Sequence, residues 1–297
     1  MSIANIERLQ PAPRNVSLLL KLQLLFGGAL TQFGWLFFGF GMIFVWIFVP
    51  NCDWRSLGYI GAHIVYEQGE VYNVERTNFS VGGGKGRSGH PVYANYYRFG
   101  LGGDNIFEGV SYSTSTLSIG TRVNIEHPQD NPGLSRIEGM GNAPLDLLPV
   151  FFIFIFPAIG LIFIVGNIRS GTKAIRLFRD GEPGYGKLES VSPTNTRIND
   201  RNVYKFIFRY IGSNGQNYRI NVSTEHSEVL QDEELEQIMI NKSDPSEAIL
   251  IDVLPGGIEI DSAGNIKPSN ISYPIKVSFL PFFVIIGNLI GLYISLT

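Results

Sequence analysis

Cysteine, histidine and charge are all scarce in this sequence. Asp, Glu, Lys and Arg together make up 16% of 297 residues, well below the usual quarter. The lone Cys52 cannot form an intramolecular disulfide, and four scattered histidines make a poor metal inventory, because metal ligands usually come in closely spaced pairs. His63, His90 and His127 each stand alone. A net charge of −3 leaves no excess of Lys and Arg to neutralise phosphates, so no nucleic-acid partner is expected. Neither a Gly-x-Ser-x-Gly elbow nor a His-Glu-x-x-His pair occurs. In the glycine-rich stretch Gly82–His90, Lys85 is followed by Gly86 and then by a strand pattern, so it reads as a hairpin connection and not as a phosphate cradle. No cofactor and no catalytic residue is expected from these patterns.

Long uncharged runs are what the sequence does have. Leu22–Cys52, Leu147–Ile168 and Val277–Thr297 contain no charged side chain. Each matches or exceeds the ~20 residues a helix needs to cross the hydrocarbon core. The first is too long and starts too late for a signal peptide, and Pro50-Asn51 before Cys52 does not suit lipoprotein cleavage. Arg8, Arg14 and Lys21 precede the first run, while Arg169, Lys173, Arg176 and Arg179 follow the second and Lys276 precedes the third. Basic flanks stay in the cytoplasm. The expected order is a cytoplasmic segment 1–21, a span 22–52, an extracytoplasmic domain 53–146, a span 147–168, a cytoplasmic domain 169–276 and a span 277–297. The stretch Arg169–Gly181 reads as a continuation of the second helix, with its basic residues contacting lipid headgroups.

The spans carry no ionisable side chain, so a proton or ion relay has no obvious carrier. Thr31, Gln32, Asn167 and Asn288 read as interhelical hydrogen-bonding groups. Gly287 and Gly291 form a GxxxG motif beside Asn288. The expectation is that this face packs on the first span, with Gln32 and Asn288 bonded at the seam.

Both inter-span segments read as β. Tyr204, Phe206, Phe208 and Tyr210 alternate with Lys205 and Arg209, and Tyr93, Tyr97 and Phe99 repeat that face in the first segment. Val74–Val81 resembles Val191–Ile198 upstream of these strands, and Val123–Pro128 resembles Leu250–Pro255 downstream. The same order occurs twice with loops of different length, which points to an internal duplication. In the second segment five strands are expected near Gly184–Val191, Val203–Ile211, Gln216–Ser223, Ile249–Val253 and Ile258–Asp261. Val229, Leu230, Leu235, Ile238 and Met239 recur at helical spacing, so Glu225–Asn241 is expected to be an amphipathic helix, with Glu233, Glu234 and Glu236 solvated. The fold class is α+β: three transmembrane helices with two small five-stranded β-domains, barrel-like or sandwich-like.

Val123–Gly139, VNIEHPQDNPGLSRIEG, reads as a strand, a turn and a returning strand. Pro128, Asn131, Pro132 and Gly133 supply the turn chemistry. Val123, Pro128, Asn131, Pro132, Ser135 and Arg136 resemble the signature of a widespread bacterial membrane family (domain-of-unknown-function family three-five-nine-two). Ile125 stands where that family usually has an aromatic, and Asp130 adds a residue between the prolines. The resemblance covers roughly Gly58 to Gly139. The second copy lacks the Asn-Pro turn and matches only through its strands. The resemblance implies a β-domain flanked by transmembrane helices and brings no catalytic residues.

Two function classes follow. The first is a non-enzymatic multi-pass protein of the cell membrane, contacting lipid and a protein partner or a second copy of itself. The second is an enzyme or transport component whose site forms only in an oligomer.

Overall fold

The computed structural model describes residues 6–84, 88–102, 105–198, 201–224 and 235–296, with residues 196–198 and 201 described by backbone alone. Three helices are long and apolar enough to cross a membrane: α2 (Ala29–Phe48, running on through Asn51), α3 (Leu148–Asp180) and α4 (Ser272–Leu296). A shorter α1 (Leu18–Phe26) precedes them. The chain divides into two units, Phe40–Pro157 and the remainder, with the divisions falling inside α2 and α3.

In the unit Phe40–Pro157, β1 (Ile64–Val81), β2 (His90–Gly100), β3 (Ile106–Ser113), β4 (Arg122–Pro128) and β5 (Arg136–Ile137) form an antiparallel sheet in the order β3-β2-β1-β4-β5. The sheet curls nearly into a barrel. Tyr112 of β3 and Gly141, beyond β5, exchange two backbone hydrogen bonds of 2.8 and 3.0 Å across the gap. Val71, Tyr97, Phe99, Ile125 and Ile137 fill the interior. Gly69 keeps that interior closed, since a Cβ there would stand 2.7 Å from Ile125 and 2.9 Å from the Arg98 carbonyl.

In the other unit, β6 (Glu182–Ile198), β7 (Arg201–Ile211), β8 (Asn217–Thr224), β9 (Leu235–Ile240) and β10 (Ala248–Leu250) form a second antiparallel sheet, ordered β10-β9-β6-β7-β8. Phe206, Phe208, Tyr210, Ile238 and Leu250 pack on one face. Met239 joins a separate cluster with Ile6, Val16, Leu20 and Leu24 from the N-terminal segment and Leu177 and Phe178 from α3. A ribbon of β11 (Ile258–Ile260) and β12 (Ile266–Pro268) precedes α4.

The two sheets agree in detail. Substituting β6 to β10 for β1 to β5 reproduces the strand order. The β1–β2 register shifts between Val71 and Asn73 and between Arg76 and Ser80. The β6–β7 register shifts between Leu188 and Ser190 and between Pro193 and Arg197, at matching points. Beside the second shift Thr77 donates to the Val92 carbonyl at 2.8 Å, and Thr194 donates to the Val203 carbonyl at the same distance.

The structure corrects four expectations. The counterpart of β4 is β9, not Leu250–Pro255: Gly69 faces Val123 as Gly186 faces Glu236. Residues 225–234 lie outside the described residues, and the rest of the expected helix, Leu235–Ile240, is a strand. It is buried on both faces, Ile238 and Ile240 towards one cluster and Met239 towards the other. Such a strand shows no alternation and can imitate helical spacing. Glu236, read as solvated, is buried. The second sheet also has its own proline turn. Asp244-Pro245 stands where Asn131-Pro132 stands, and the Asp244 carbonyl accepts from Glu247 N–H (2.9 Å) as Asn131 accepts from Leu134 (3.0 Å).

The first candidate span is shorter than 22–52, because the apolar run breaks at Gly27-Gly28. Gly28 has φ of +92°, a left-handed value that glycine adopts freely. α1 therefore ends there, and its apolar face joins the core of its own unit. α3 runs on through Arg169–Asp180, as its basic extension implied.

Candidate functional site

A dense set of interacting polar side chains surrounds the β4–β5 hairpin. Pro128, Asn131, Pro132 and Gly133 form its turn, where Asn131 N–H donates to the Pro128 carbonyl at 3.0 Å. Glu126 and Arg136 face each other across the strands, with Nε 2.5 Å from Oε1. Ser135 points inward and accepts from the Tyr97 hydroxyl at 2.8 Å.

A 3-10 helix, Trp54–Tyr59, lies against this hairpin. Three residues per turn bring every third side chain onto one face. Asp53, Ser56 and Tyr59 form the first face and meet the hairpin's polar groups. Asp53 caps the helix by accepting from Ser56 N–H (3.0 Å) and Ser56 Oγ (2.6 Å), and it also accepts from Asn142 N–H (2.8 Å). Arg136 Nη1 donates to Ser56 Oγ at 2.9 Å, and its guanidinium carbon sits 4.1 Å from the centre of the Tyr59 ring. The Tyr59 hydroxyl donates to the Leu134 carbonyl at 2.8 Å. Arg55 and Gly58 form the second face, on the turn: Arg55 Nη2 donates to the Gly133 carbonyl at 2.6 Å, and Gly58 leaves room for the Leu134 side chain. Trp54, Leu57 and Ile60 form the third face and are exposed.

Burial pushes the Tyr59 phenol up to about 12, against the opposing pull of the Arg136 cation. Burial likewise raises Tyr97, while its hydrogen bond to Ser135 acts the other way. Both phenols therefore serve as neutral donors. An open cleft of about 400 Å³ beside the cluster is bordered by Asp53, Ser56, Arg136, Gly141, Asp146 and Leu147. Its cation and its capping carboxylate already hold protein partners, so the arrangement fastens the segment after α2 to the hairpin.

Among the described residues, His63, His90 and His127 do not converge. His63 and His90 are exposed, whereas His127 is buried with Nδ1 2.9 Å from the Pro128 carbonyl. Among the described residues no group of three or more His, Cys, Asp or Glu could hold a metal ion. Cys52 is buried and its thiol donates to the Phe48 carbonyl at 3.3 Å.

The amides of the long apolar helices bond to backbone rather than to one another. Gln32 Nε2 donates to the carbonyls of Phe26 (2.7 Å) and of Val277 in α4 (2.8 Å). Asn167 Nδ2 donates to the Leu25 carbonyl at 2.7 Å, and the Tyr273 hydroxyl accepts from Gly28 N–H at 3.1 Å. These bonds satisfy the backbone groups freed at the α1–α2 break, the condition for irregular backbone away from water. Asn288 Nδ2 donates to the Val284 carbonyl one turn back in its own helix, at 2.9 Å. A Cβ on Gly287 would meet nothing within 4 Å, and Gly291 is half-buried. The close approach lies elsewhere: Gly39 of α2 faces Val284 of α4, with 2.5 Å between a Cβ at residue 39 and Val284 Cγ2. The expected Gln32–Asn288 seam is thus replaced by Gln32–Val277, because Asn288 sits too far along α4 from Gln32.

Arg14, counted above with the basic flank, is buried. It donates to the carbonyls of Phe178 (3.2 Å) and Gly181 (2.7 Å) at the end of α3. Burial lowers its pKa, and Asp180 counteracts this.

Sequence reasoning found Arg136, Ser135 and the turn but missed Asp53, Ser56, Tyr59 and Asn142. The available signal was a three-residue repeat in Asp53–Ile60, with polar and apolar positions in separate frames. No protein-family model, curated protein or solved structure matches this chain.

Proposed function

We propose that the chain is a multi-pass protein of a bacterial cell membrane, with its N-terminus in the cytoplasm and one β-domain on each side. It acts as a binding or assembly protein, in contact with lipid and with a protein partner or a second copy, and not as an enzyme. Three apolar helices and the basic residues beside α1 and at the end of α3 support this placement. The shared strand order, register shifts and threonine bonds support an internal duplication of one β-domain. The hairpin's resemblance to the membrane family of unknown function fits the first copy.

The observation that carries the binding reading is how the polar cluster is used. Arg136 is held by Glu126, Ser56 and the Tyr59 ring, and Asp53 caps a helix. These bonds build a rigid presenting surface. Alkaline phosphatase fused after Asn142 should be active, and fused after Asn202 inactive; the reverse pattern refutes the orientation. Detergent-purified protein should carry a stoichiometric protein partner or self-associate. A bound metabolite or metal ion without either would favour the enzyme or transport alternative.

A further inference from the structure

The third face of the 3-10 helix Trp54–Tyr59 has no role in the cluster described above. Trp54, Leu57 and Ile60 share one edge at the three-residue period. They are 44%, 49% and 78% exposed, a large apolar surface beside two buried polar positions, Asp53 and Asn142. The other two faces are fastened to the hairpin through Ser56, Tyr59 and Arg55. The apolar edge therefore cannot turn inward.

Its position identifies what covers it. Only Cys52 and Asp53 separate Trp54 from Asn51, where the candidate span ends. The Trp54 indole donates to the Val49 carbonyl at 2.8 Å, which ties the ring to the last turn of that span. The returning chain passes the same point: Leu145 N–H donates to the Asn51 carbonyl (3.2 Å), and Asp53 N–H donates to the Leu145 carbonyl (2.8 Å). α3 begins at Leu148, and Leu148 and Phe151 are exposed. The apolar edge is thus continuous with the exposed apolar ends of both helices that bracket the domain. Tryptophan with its N–H satisfied and flanking aliphatic residues is the composition expected at the headgroup–acyl boundary.

We propose that Trp54, Leu57 and Ile60 form a membrane-interface foot that seats the first β-domain on the bilayer surface. The inference rests on the membrane reading above. The foot explains why the other two faces are so heavily bonded: an interfacial element can orient a domain only if it cannot rotate against it.

The test uses full-length protein in phosphatidylcholine–phosphatidylglycerol vesicles, with Cys52 replaced by alanine and single nitroxide labels at Leu57→Cys and Ile60→Cys. Phe151→Cys serves as the lipid reference and Asn78→Cys, on the distal part of β1, as the water reference. Labels at 57 and 60 should collide several-fold more with oxygen than with a polar nickel chelate, as at 151, with the reverse at 78. A water-like result at 57 and 60 with a lipid-like result at 151 overturns the foot. A water-like result at 151 as well overturns the membrane reading instead. Spin–spin broadening at 57 or 60 would assign the surface to a second copy. Hydroxyl-radical footprinting of the unlabelled protein in the same vesicles guards against misfolded variants: Trp54 and Leu57 should be as protected as Phe151, and strong modification of both rejects the foot.

Discussion

Arg136 and Ile249 occupy the same place in the two sheets: Arg136 stands opposite Glu126, and Ile249 opposite Met239. One sheet carries an ion pair where the other carries an apolar contact. Removing one partner of a largely buried pair costs about 3–5 kcal/mol, whereas replacing both with apolar groups is often nearly neutral. Arg136→Ala should therefore lower the thermal midpoint of the purified protein sharply. The double change Glu126→Met with Arg136→Ile should recover most of that loss. If the double variant is as unstable as the single one, the contacts of Arg136 with Ser56 and Tyr59 outweigh its pairing with Glu126.

The proline turns should behave alike. Asn131→Ala with Pro132→Ala releases chain entropy on unfolding, at about 0.4–1 kcal/mol for the proline. Asp244→Ala with Pro245→Ala should do the same in the second sheet, and neither should alter partner binding. Loss of binding at unchanged stability would make the first turn a recognition loop.

Among the long apolar helices, Gly39 and Gly287 should differ. Gly39→Leu forces side-chain atoms against Val284, and overpacking of this kind costs about 1–3 kcal/mol. Gly287→Leu meets open space within the chain and should leave monomer stability unchanged. Gln32→Leu, which removes the bond to Val277, should lose about 0.6–2 kcal/mol. Resistance to unfolding in mixed micelles orders the three variants. A Gly287→Leu protein that changes oligomeric state would mark that face as an interface between copies.

Alkaline pH offers a further check. Burial raises Tyr59 and Tyr210 to about 12, from 10.0. A raised phenol pKa means the fold favours the neutral form. That stabilisation is complete below pH 10 and is lost as pH climbs through 12. Unfolding midpoints should fall across this window, and Tyr59→Phe and Tyr210→Phe should each flatten the fall. An unchanged slope in both variants would assign the alkaline loss to other groups.

Some of this fold was legible because one physical signal dominated. The uncharged runs marked three long helices, and the alternation in Val203–Ile211 marked β7, which buries only one face. The β4–β5 hairpin was legible because proline fixes φ and glycine admits turn geometry locally. β9 was not, since burial on both faces erases alternation. Hydropathy also hid the break at Gly27-Gly28, because both sides of it are apolar. The site was half legible: Ser135 and Arg136 lie on a recognisable hairpin, but Ser56 and Tyr59, the partners of Arg136, come from a distant segment whose three-residue repeat does not say which strands it will meet.

That repeat makes the segment Asp53–Ile60 sensitive to length in a way its composition does not reveal. At 3.0 residues per turn, each inserted or deleted residue rotates everything downstream by about 120°. A deletion of Arg55 would carry Ser56 off the Arg136 face and put Leu57 and Ile60 where Ser56 and Tyr59 now bond. Changes of three residues at once would restore every face. Among natural variants of this segment, length should thus vary in triplets even where individual side chains drift.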